Sequence, residues 1–280
     1  MVQNNVIKSK PLFSIITVTL NDYDGLVNTY ESIILQKCKD YEWVIIDGAS
    51  TDGTIAFLQS IVSSRTKWMS EKDFGIYDAM NKGILKSSGE YIVFMNAGDV
   101  FSDDNVLQNV SRVILCAKGT IDVVFGGATL KFPYGGSSFR PARKLGLYIW
   151  NGLPAIHQAT YYRRERLASC SYDIKYRICG DYYIISMLFI QGISAEYMKI
   201  SLVDFRVGDT SYRNPITILI EGYSIQRDVL NSPLHLRILS FARRAITIAA
   251  WMVLSQPIYA RLFRLRSNDK ILVQSHSKPL

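Results

Sequence analysis

Several patterns that would assign a function at once are missing from this 280-residue sequence. It contains neither G-x-G-x-x-G nor G-x-x-x-x-G-K-[ST], which excludes the usual dinucleotide fingerprint and the P-loop. Its four cysteines form no C-x-x-C pair and no zinc-ligand spacing, which favours free thiols in a reducing compartment. The polar start, M-V-Q-N-N-V-I-K-S-K-P, has no apolar signal-peptide core, so we expect a cytoplasmic protein.

The sequence does contain an alternation of short apolar runs with segments of helical spacing. A strand is predicted for each of four runs that end in polar turns: Phe13 to Leu20, Tyr41 to Ile46, Thr66 to Ser70 and Tyr91 to Met95. Later segments predict two more strands, Ile121 to Leu130 and Ser194 to Phe205, and a helix from Asp181 to Ile190. Strands that alternate with helices indicate an α/β fold with a Rossmann-like, mostly parallel sheet flanked by helices.

Polar side chains follow successive predicted strands at the point where each strand ends. In an open α/β sheet the ligand binds beyond the carboxyl ends of the strands, so these side chains are candidate contacts. The acids among them are Asp47, Asp52, Glu71, Asp73 and Asp99. Converging acids repel each other unless a cation or hydrogen-bond donors are present, and Mg²⁺ or Mn²⁺ with a nucleotide diphosphate would supply that partner. Taken singly, each acid is more typical of a helix cap or a solvated turn.

Three linked segments resemble the family 2 glycosyltransferases, which have the GT-A fold. They are T-V-T-L-N at 17–21, V-I-I-D-G-A-S-T-D-G-T at 44–54 and S-E-K-D-F-G-I-Y-D-A-M-N-K-G at 70–83. The third is similar to a branch of that family found in bacterial exopolysaccharide and colanic-acid gene clusters. The resemblance implies a nucleotide-sugar-binding and catalytic domain over residues 1–205, followed by a basic, mostly helical C-terminal region over residues 206–280.

The resemblance implies roles for several residues of the nucleotide pocket. Asp47 matches the acid that recognises the base of the nucleotide, since a carboxylate there can accept the imide N–H of uracil or the N–H groups of guanine. Thr17 and Asn21 match positions that line the nucleoside pocket. Asp52 lies in the same turn as Asp47 and would support it.

Other matched positions lie near the sugar, the diphosphate and the metal. Asp73 and Asn81 match residues near the sugar and the diphosphate. Asp99 matches the last acid of the family's metal motif, which implies Mn²⁺ or Mg²⁺, but many members have an acid where this sequence has Asn96. With one carboxylate, the cation would take most of its ligands from the diphosphate and water. We therefore expect metal dependence that is weakened by the amide at position 96.

The catalytic base is expected further along the chain. C-G-D-Y-Y at 179–183 resembles the family's motif at a helix start, where an acid deprotonates the acceptor hydroxyl. Asp181 is the candidate base and Asp173 the alternative, although Asp181 also fits an ordinary acid at a helix N-terminus. H-Q-A-T-Y-Y at 157–162 resembles another family segment, in which His157 would contact the diphosphate or the acceptor, or be structural.

Together these residues predict an inverting glycosyltransferase that moves a sugar from a UDP- or GDP-linked donor to a hydroxyl of a saccharide. One displacement inverts the anomeric centre and needs no protein nucleophile. A sugar-1-phosphate nucleotidyltransferase is one alternative, but N-D-Y-D at 21–24 is not the Gly-rich basic loop that such enzymes need. A non-catalytic nucleotide- or saccharide-binding module is the other, with Asn96 as a mark of decay, and the presence of Asp99 and Asp181 argues against it.

Positive charge is concentrated in the C-terminal region. Between Phe205 and Arg266 there are nine arginines and three acids, and ten residues from Ala245 to Leu254 form an apolar run, half of what a spanning helix needs. This composition predicts a helix lying on an anionic membrane surface, at the inner face of the cytoplasmic membrane, and not a nucleic-acid site. The saccharide acceptor is then expected to be lipid-linked. A packed appendage or a homo-oligomer interface is the alternative.

Overall fold

A computed structural model describes the fold for residues 10–61, 63–132, 135–207 and 214–253. The strands within these ranges form one mixed sheet: β1 (Phe13–Thr19), β2 (Tyr41–Asp47), β3 (Thr66–Ser70), β4 (Tyr91–Phe94), β5 (Val100–Phe101), β6 (Val123–Lys131), β7 (Ser137–Arg140), β8 (Thr160–Arg163) and β9 (Ala195–Arg206). Their order across the sheet is β3-β2-β1-β4-β8-β6-β9-β5, and β7 pairs with the last residues of β6.

Helices connect the strands and cover the sheet. They are α1 (Tyr23–Ile34), α2 (Thr54–Ser60), α3 (Ile76–Lys86), α4 (Val106–Cys116), α5 (Leu145–Tyr148), α6 (Arg164–Ala168), α7 (Gly180–Ile190), α8 (Pro215–Asp228) and α9 (Leu234–Val253). Two 3-10 turns, Ile149–Asn151 and His157–Ala159, precede β8.

The first four strands form the predicted parallel half of the sheet. β2 pairs in parallel with β1 and β3, and β4 pairs in parallel with β1. The second half is mixed, because β8 runs antiparallel to both β4 and β6, and β5 and β7 also form antiparallel pairs. The strands β5, β7 and β8 have only two to four residues, too few to show a period, so the sequence did not predict them. The α/β class with flanking helices is confirmed.

Both faces of β1, β2 and β4 are buried, whereas β3, at the end of the strand order, is partly exposed. On β1, Phe13 and Ile15 belong to one apolar cluster, while Ile16 and Val18 belong to the other. Because side chains alternate between the faces of a strand, the sheet separates two cores, and its strands are continuous apolar runs. Truncation of Ile15 or Ile16 to alanine should therefore lower the free energy of unfolding by about 2–5 kcal/mol.

The two C-terminal helices pack against the rest of the fold. α8 contacts α7, and α9 contacts both α8 and the 3-10 turn at Ile149–Asn151. Gln226 of α8 donates to the Trp150 carbonyl at 2.6 Å and to Ser240 of α9 at 2.9 Å. The division into domains after residue 205 stays a prediction. Within the ranges given above, no helix has both the length and the apolar content needed to cross a bilayer.

Candidate active site

The carboxyl ends of the parallel strands bring the predicted polar residues to one edge of the sheet. In the strand register, Thr19 of β1 lies beside Asp47 of β2, which lies beside Ser70 of β3. Strand β4, which leads to Asn96, lies on the other side of β1. Neighbouring strands are about 4.8 Å apart, so Asp47 and Asn96 lie about 10 Å apart across β1. This edge is the candidate active site.

Asp47 is completely buried at the end of β2. Its Oδ2 atom accepts hydrogen bonds from the Ser50 amide at 3.0 Å and the Ser70 hydroxyl at 2.5 Å. Its Oδ1 atom is buried and has no hydrogen-bond partner among the described residues. An unpaired buried oxygen costs about 1–3 kcal/mol, and more when it is charged. Asp47 is therefore suited to a ligand that presents an N–H donor.

Asn21 couples the end of β1 to the loop that holds Asp47. Its backbone amide donates to the Ser50 hydroxyl oxygen at 2.7 Å, and its side-chain Oδ1 atom accepts from the Thr51 backbone amide at 2.8 Å. Asn21 has a φ of 51°, a left-handed conformation that asparagine adopts more readily than most residues. Asn21 thus lies against the loop that follows Asp47, and its contact with a nucleoside stays a prediction.

Asp52 is exposed and ties the starts of α1 and α2 together. Its Oδ2 atom accepts from the Tyr23 amide at 2.9 Å, and its Oδ1 atom accepts from the Thr54 hydroxyl at 2.7 Å. The hydrogen bond from the Thr54 hydroxyl is the main cause that lowers the pKa of Asp52. These contacts hold the loop after β2 in place, as a supporting residue would.

Asp73 lies against the turn that follows β2. A Cβ atom at Gly48 would lie only 2.7 Å from Asp73 Oδ2, so the missing side chain at position 48 is what lets this carboxylate approach. Its Oδ1 atom accepts from the Gly75 amide at 2.9 Å. The neighbouring acid Glu71 instead forms an ion pair with Lys82 at 2.9 Å. The Glu71 amide donates to the Asp47 carbonyl at 3.0 Å, but of these two acids only Asp73 has its carboxylate against the turn after β2.

The turn after β4 is shaped by a threonine from α1. Thr29 donates to the Asp99 carbonyl at 2.8 Å and accepts from the Gly98 amide at 3.0 Å. Asp99 Oδ2 accepts from the backbone amide of Asn96 at 3.1 Å and from the side-chain amide of Gln158 at 2.8 Å. The side-chain oxygen Oδ1 of Asn96 is buried, and no donor in the described part of the chain reaches it.

A divalent cation fits this turn if a diphosphate supplies the other ligands. The described ranges contain no group of three or more His, Cys, Asp or Glu side chains that could hold a metal ion. The acids at this edge accept hydrogen bonds from protein donors, so their convergence does not by itself require a cation. The unpaired amide oxygen of Asn96 and the carboxylate of Asp99 are nevertheless hard oxygen ligands of the kind that Mg²⁺ and Mn²⁺ prefer.

Asp181 is the second residue of α7, and the Oδ1 atom of its side chain is buried without a hydrogen-bond partner among the residues described. Burial is the main cause that raises the pKa of Asp181, and the nearby His157 opposes that rise. At Asp173 burial also raises the pKa, but the hydrogen bonds from Lys175 outweigh it and lower the pKa overall. The raised pKa makes Asp181 the stronger base of the two candidates.

His157 is buried beside Asp181. Its ring stacks on Phe94 at 4.7 Å, and its two nitrogens lie 3.3 and 3.4 Å from the hydroxyls of Tyr162 and Tyr172. Nδ1 is also 3.7 Å from Asp181 Oδ1. Burial lowers the pKa of His157, which favours the neutral imidazole. Its nitrogens therefore face protein groups, one of which is the candidate base.

Two other candidate residues use their polar groups inside the protein. Thr17 is fully buried, and its hydroxyl oxygen accepts from the Trp43 indole at 2.8 Å. Asn81 exchanges two hydrogen bonds with the backbone of Tyr172, at 2.8 and 2.9 Å. These hydrogen bonds connect β1 with β2, and α3 with the segment around Tyr172. Direct contact of Thr17 or Asn81 with the donor stays a prediction.

Two cavities lie on either side of the segment that leads into α7. The first is about 210 Å³ in volume, and its wall includes Cys179, Asp181 and Arg244 of α9. The second is about 450 Å³ and lies between the loop at Phe74 and the segment around Arg177. The first cavity has the candidate base, Asp181, in its wall.

Thr29 and Gln158 belong to the site but were not predicted from the sequence. Thr29 lies inside an amphipathic helix, where nothing in its neighbourhood distinguishes it from a core residue. Gln158 lies in the segment H-Q-A-T-Y-Y that drew attention to His157. Gln158 directly follows the candidate residue His157, and its side-chain amide can donate a hydrogen bond. This combination could have identified it from the sequence.

Comparisons with known proteins point to one family. The model of Glycosyl transferase family 2 matches residues 14–171. An uncharacterised glycosyltransferase of Mycobacterium tuberculosis is 37% identical over 119 residues, which make up 42% of this chain and 45% of the relative. The chain thus spans less than half the length of that relative. A PGL/p-HBAD biosynthesis glycosyltransferase of Mycobacterium bovis is 32% identical over 203 residues, which are 70% of this chain and 77% of that protein.

Two solved structures share the fold. TarS 1–349 of S. aureus, in complex with UDP-GlcNAc, has a TM-score of 0.62 at 13% identity, covering 91% of this chain and 79% of that one. The mannosyltransferase PcManGT of Pyrobaculum calidifontis, in complex with GDP-Man and Mn²⁺, has a TM-score of 0.62 at 15% identity, covering 93% and 81%. At these identities the likeness concerns the fold, which is the expected GT-A fold. Since the family model matches more than half of the sequence, the chain belongs to glycosyl transferase family 2.

Proposed function

We propose that the protein is an inverting glycosyltransferase that moves a sugar from a nucleotide-diphosphate sugar to a hydroxyl group of a saccharide acceptor. One observation carries this proposal. Several buried oxygens near one edge of the sheet lack hydrogen-bond partners among the described residues. Besides Thr19 Oγ1, they are three oxygens of the candidate residues: Asp47 Oδ1, Asn96 Oδ1 and Asp181 Oδ1. Asp47 Oδ1 is suited to the nucleotide base, Asn96 Oδ1 to a cation on the diphosphate, and Asp181 Oδ1 to the proton of the acceptor hydroxyl.

The nucleotide base is the partner proposed for Asp47. Its unpaired Oδ1 atom would accept an N–H group of the base, while the Ser50 amide and the Ser70 hydroxyl keep Oδ2 in place. Uracil and guanine both carry such a donor, so UDP- and GDP-linked sugars both fit. Two structures of similar fold, one in complex with UDP-GlcNAc and one in complex with GDP-Man, support this class of donor.

The diphosphate is the partner proposed for the turn after β4. Asn96 and Asp99 would hold Mn²⁺ or Mg²⁺ there, and the cation would neutralise negative charge on the departing nucleotide diphosphate. The side chain of Gln158 and the backbone amide of Asn96 orient the Asp99 carboxylate by donating hydrogen bonds to it. The Mn²⁺ in the structure of PcManGT supports a divalent metal.

The proton of the acceptor hydroxyl is the partner proposed for Asp181. As the acceptor oxygen attacks the anomeric carbon, the carboxylate takes that proton, and the bond from the sugar to the diphosphate breaks with its electron pair on the departing oxygen. The attack comes from the face opposite to the nucleotide, so the anomeric centre inverts. The raised pKa of Asp181 strengthens it as the base for this step.

The acceptor is proposed to be a lipid-linked saccharide at the inner face of the cytoplasmic membrane, used in the synthesis of bacterial cell-surface polysaccharide. Two features of α8 and α9 support a membrane surface. Exposed apolar side chains are frequent there: Ile216, Ile220, Leu234, Ile238, Leu239, Phe241 and Ile246. Arg237 and Arg243 lie over tyrosine rings, and neither has an ion pair with an acid in the described part of the chain. The predicted tail arginines 261, 264 and 266 lie outside the described residues.

A panel of nucleotide sugars tests the reaction. The purified full-length chain, supplied with each donor and with Mn²⁺, should release nucleotide diphosphate from one donor more than from the others. Binding of UDP or GDP without any release would support the non-catalytic module. Release of pyrophosphate from a nucleoside triphosphate and a sugar 1-phosphate would support the nucleotidyltransferase instead.

A further inference from the structure

Glu221 of α8 is a buried acid that the proposed reaction does not use. Its side chain lies against the segment just before α7, and the residue is only 8% exposed. Its Oε1 atom accepts from the Arg177 amide at 2.7 Å, and its Oε2 atom accepts from the amides of Ile178 and Cys179 at 3.0 and 2.8 Å. Three consecutive backbone amides therefore point at one carboxylate.

These amides belong to the start of the helix that carries the candidate base. The first amides of a helix have no acceptor within the helix, so another group has to supply one. The residue at the N-cap of α7, Cys179, makes no side-chain capping bond. Glu221, from a different helix, supplies an acceptor for the Cys179 amide at the N-cap and for the two amides just before it. Its carboxylate lies at the end of α7 where the helix dipole favours an anion.

The position of Asp181 depends on this backbone and on Tyr77, whose side chain hydrogen-bonds to the carboxyl and lowers its pKa. Oδ1 has no hydrogen-bond partner among the described residues, and the His157 ring is 3.7 Å away. On the opposite side of the segment, the Tyr77 hydroxyl donates to the Ile178 carbonyl at 2.8 Å. A Cβ atom at Gly180 would lie 2.6 Å from the Tyr77 ring, so α7 begins in direct contact with α3.

We propose that Glu221 is a positioning residue, which fixes residues 177–179 and thereby holds Asp181 where it can take the acceptor proton. The segment is held between Tyr77 on one side and Glu221 on the other. Helix α8 lies outside the residues that the family model matches, so the proposal makes the C-terminal region part of the catalytic unit. It rests on the proposed role of Asp181 as the base.

The substitution Glu221→Gln separates positioning from general stability. Glutamine has the shape of glutamate but offers one acceptor oxygen and places an NH₂ donor against the backbone amides, so the segment loses part of its anchorage. A displacement of about 1 Å at a reacting group can cost about 100-fold in rate. In the full-length chain, kcat for the active donor should fall at least about tenfold, while KM for the donor and affinity for UDP or GDP stay within about twofold. Glu221→Asp, which keeps the charge, should recover part of kcat.

Asp122 offers a matched control. It is also a buried acid, and it accepts from the Ser194 amide and the Arg166 side chain, both at 2.9 Å. It lies just before β6, at the opposite edge of the sheet from Asp47. Asp122→Asn should lower the thermal midpoint and leave kcat unchanged.

Amide hydrogen exchange gives a second readout that does not depend on activity. Exchange at residues 178–181 should be at least about tenfold faster in Glu221→Gln than in the parent, and unchanged there in Asp122→Asn. The proposal is overturned if exchange is unchanged, if kcat stays within twofold of the parent, or if nucleotide binding falls as much as kcat. A parent that binds nucleotide but transfers no sugar would contradict the proposed function alone, because the exchange measurement would still decide the role of Glu221 in holding the segment.

Discussion

The Oδ1 atom of Asp181 lies 3.7 Å from the Nδ1 atom of the buried His157, and Asp181 lines the 210 Å³ cavity. Burial raises the pKa of the carboxyl and lowers the pKa of the imidazole, so each charged form is disfavoured. The nearby His157 and a hydrogen bond from the Tyr77 side chain both oppose the rise in the pKa of Asp181. This balance suits a residue that has to be ionised before the reaction and protonated after it.

Substitution of the base should separate binding from transfer. Asp181→Asn should keep nucleotide binding and lower the rate of transfer at least about 100-fold, because it removes only the proton acceptor. Release of nucleotide diphosphate and calorimetric binding of UDP or GDP measure the two properties. Asp173→Asn is the comparison, since Asp173 is the alternative base. Turnover of Asp181→Asn within tenfold of the parent would show that another group, with Asp173 first in line, is the base.

The same substitution should stabilise the fold in a pH-dependent way. The pKa of Asp181 is raised above its ordinary value of 3.8 in the folded state, so ionisation of the buried carboxyl opposes folding. Below that ordinary value the carboxyl is protonated in both states, and parent and Asp181→Asn should have similar midpoints. As the pH rises through the folded pKa, the parent should lose stability relative to the variant. Thermal melts from pH 3 to pH 8 measure this difference, and a variant that is less stable than the parent at neutral pH would contradict it.

The sequence predicted the parallel half of the sheet because strands buried on both faces leave continuous apolar runs. It also predicted that Asp47 and Asn96 lie at strand ends, and the contact of these residues with a sugar donor stays a prediction. It did not predict the antiparallel half, in which strands of two to four residues are defined by their partners. Nor did it assign a role to Glu221, which appeared only as one of three acids in a basic tail. That role depends on a contact between residues more than 40 positions apart, which no local pattern records.

Asp47 should contribute more to the binding of the nucleotide than to the binding of its phosphates. Asp47→Ala should weaken UDP or GDP by about tenfold or more and leave the affinity for pyrophosphate unchanged, since the loss of a hydrogen bond to a charged group costs about 1.5–3 kcal/mol. Glu42→Gln is the matched control, because Glu42 is a buried acid at the other end of β2. Equal losses of affinity for nucleotide and pyrophosphate would point to a structural turn at Asp47.

The metal site can be tested by removing one proposed ligand and by adding a negative charge to the other. Asp99→Ala should weaken binding of the nucleotide sugar and remove the dependence on Mn²⁺, because the carboxylate ligand is lost. Asn96→Asp should tighten Mn²⁺, since a charged oxygen replaces the unpaired amide oxygen. Titration of Mn²⁺ against activity, with UDP or GDP binding measured in parallel, gives both results. Full activity of the parent in excess chelator would rule out a required metal.

The last prediction concerns the exposed apolar surface of α8 and α9. Ile238 and Leu239 of α9 are 57% and 63% exposed, and Arg237 and Arg243 on the same helix have no ion pair with an acid in the residues described. Apolar side chains beside arginines whose charge is not neutralised by an ion pair match an anionic bilayer surface, which would bury the former and attract the latter. We therefore expect the full-length protein to co-sediment with anionic vesicles at low salt and to be released at high salt.

Substitutions in the full-length chain test this surface without removing the contacts of α9 to the fold. Burial of one leucine or isoleucine side chain contributes about 1.5–3 kcal/mol, so Ile238→Ser combined with Leu239→Ser should weaken vesicle binding at least about tenfold. The control combines Leu85→Ser and Leu115→Ser, at positions 85% and 73% exposed on α3 and α4, and should bind as the parent does. If the α9 variant binds vesicles as well as the control while its sedimentation coefficient falls, the surface joins copies of the chain. If neither property changes, α9 is a packing element, and the lipid-linked acceptor loses its structural support.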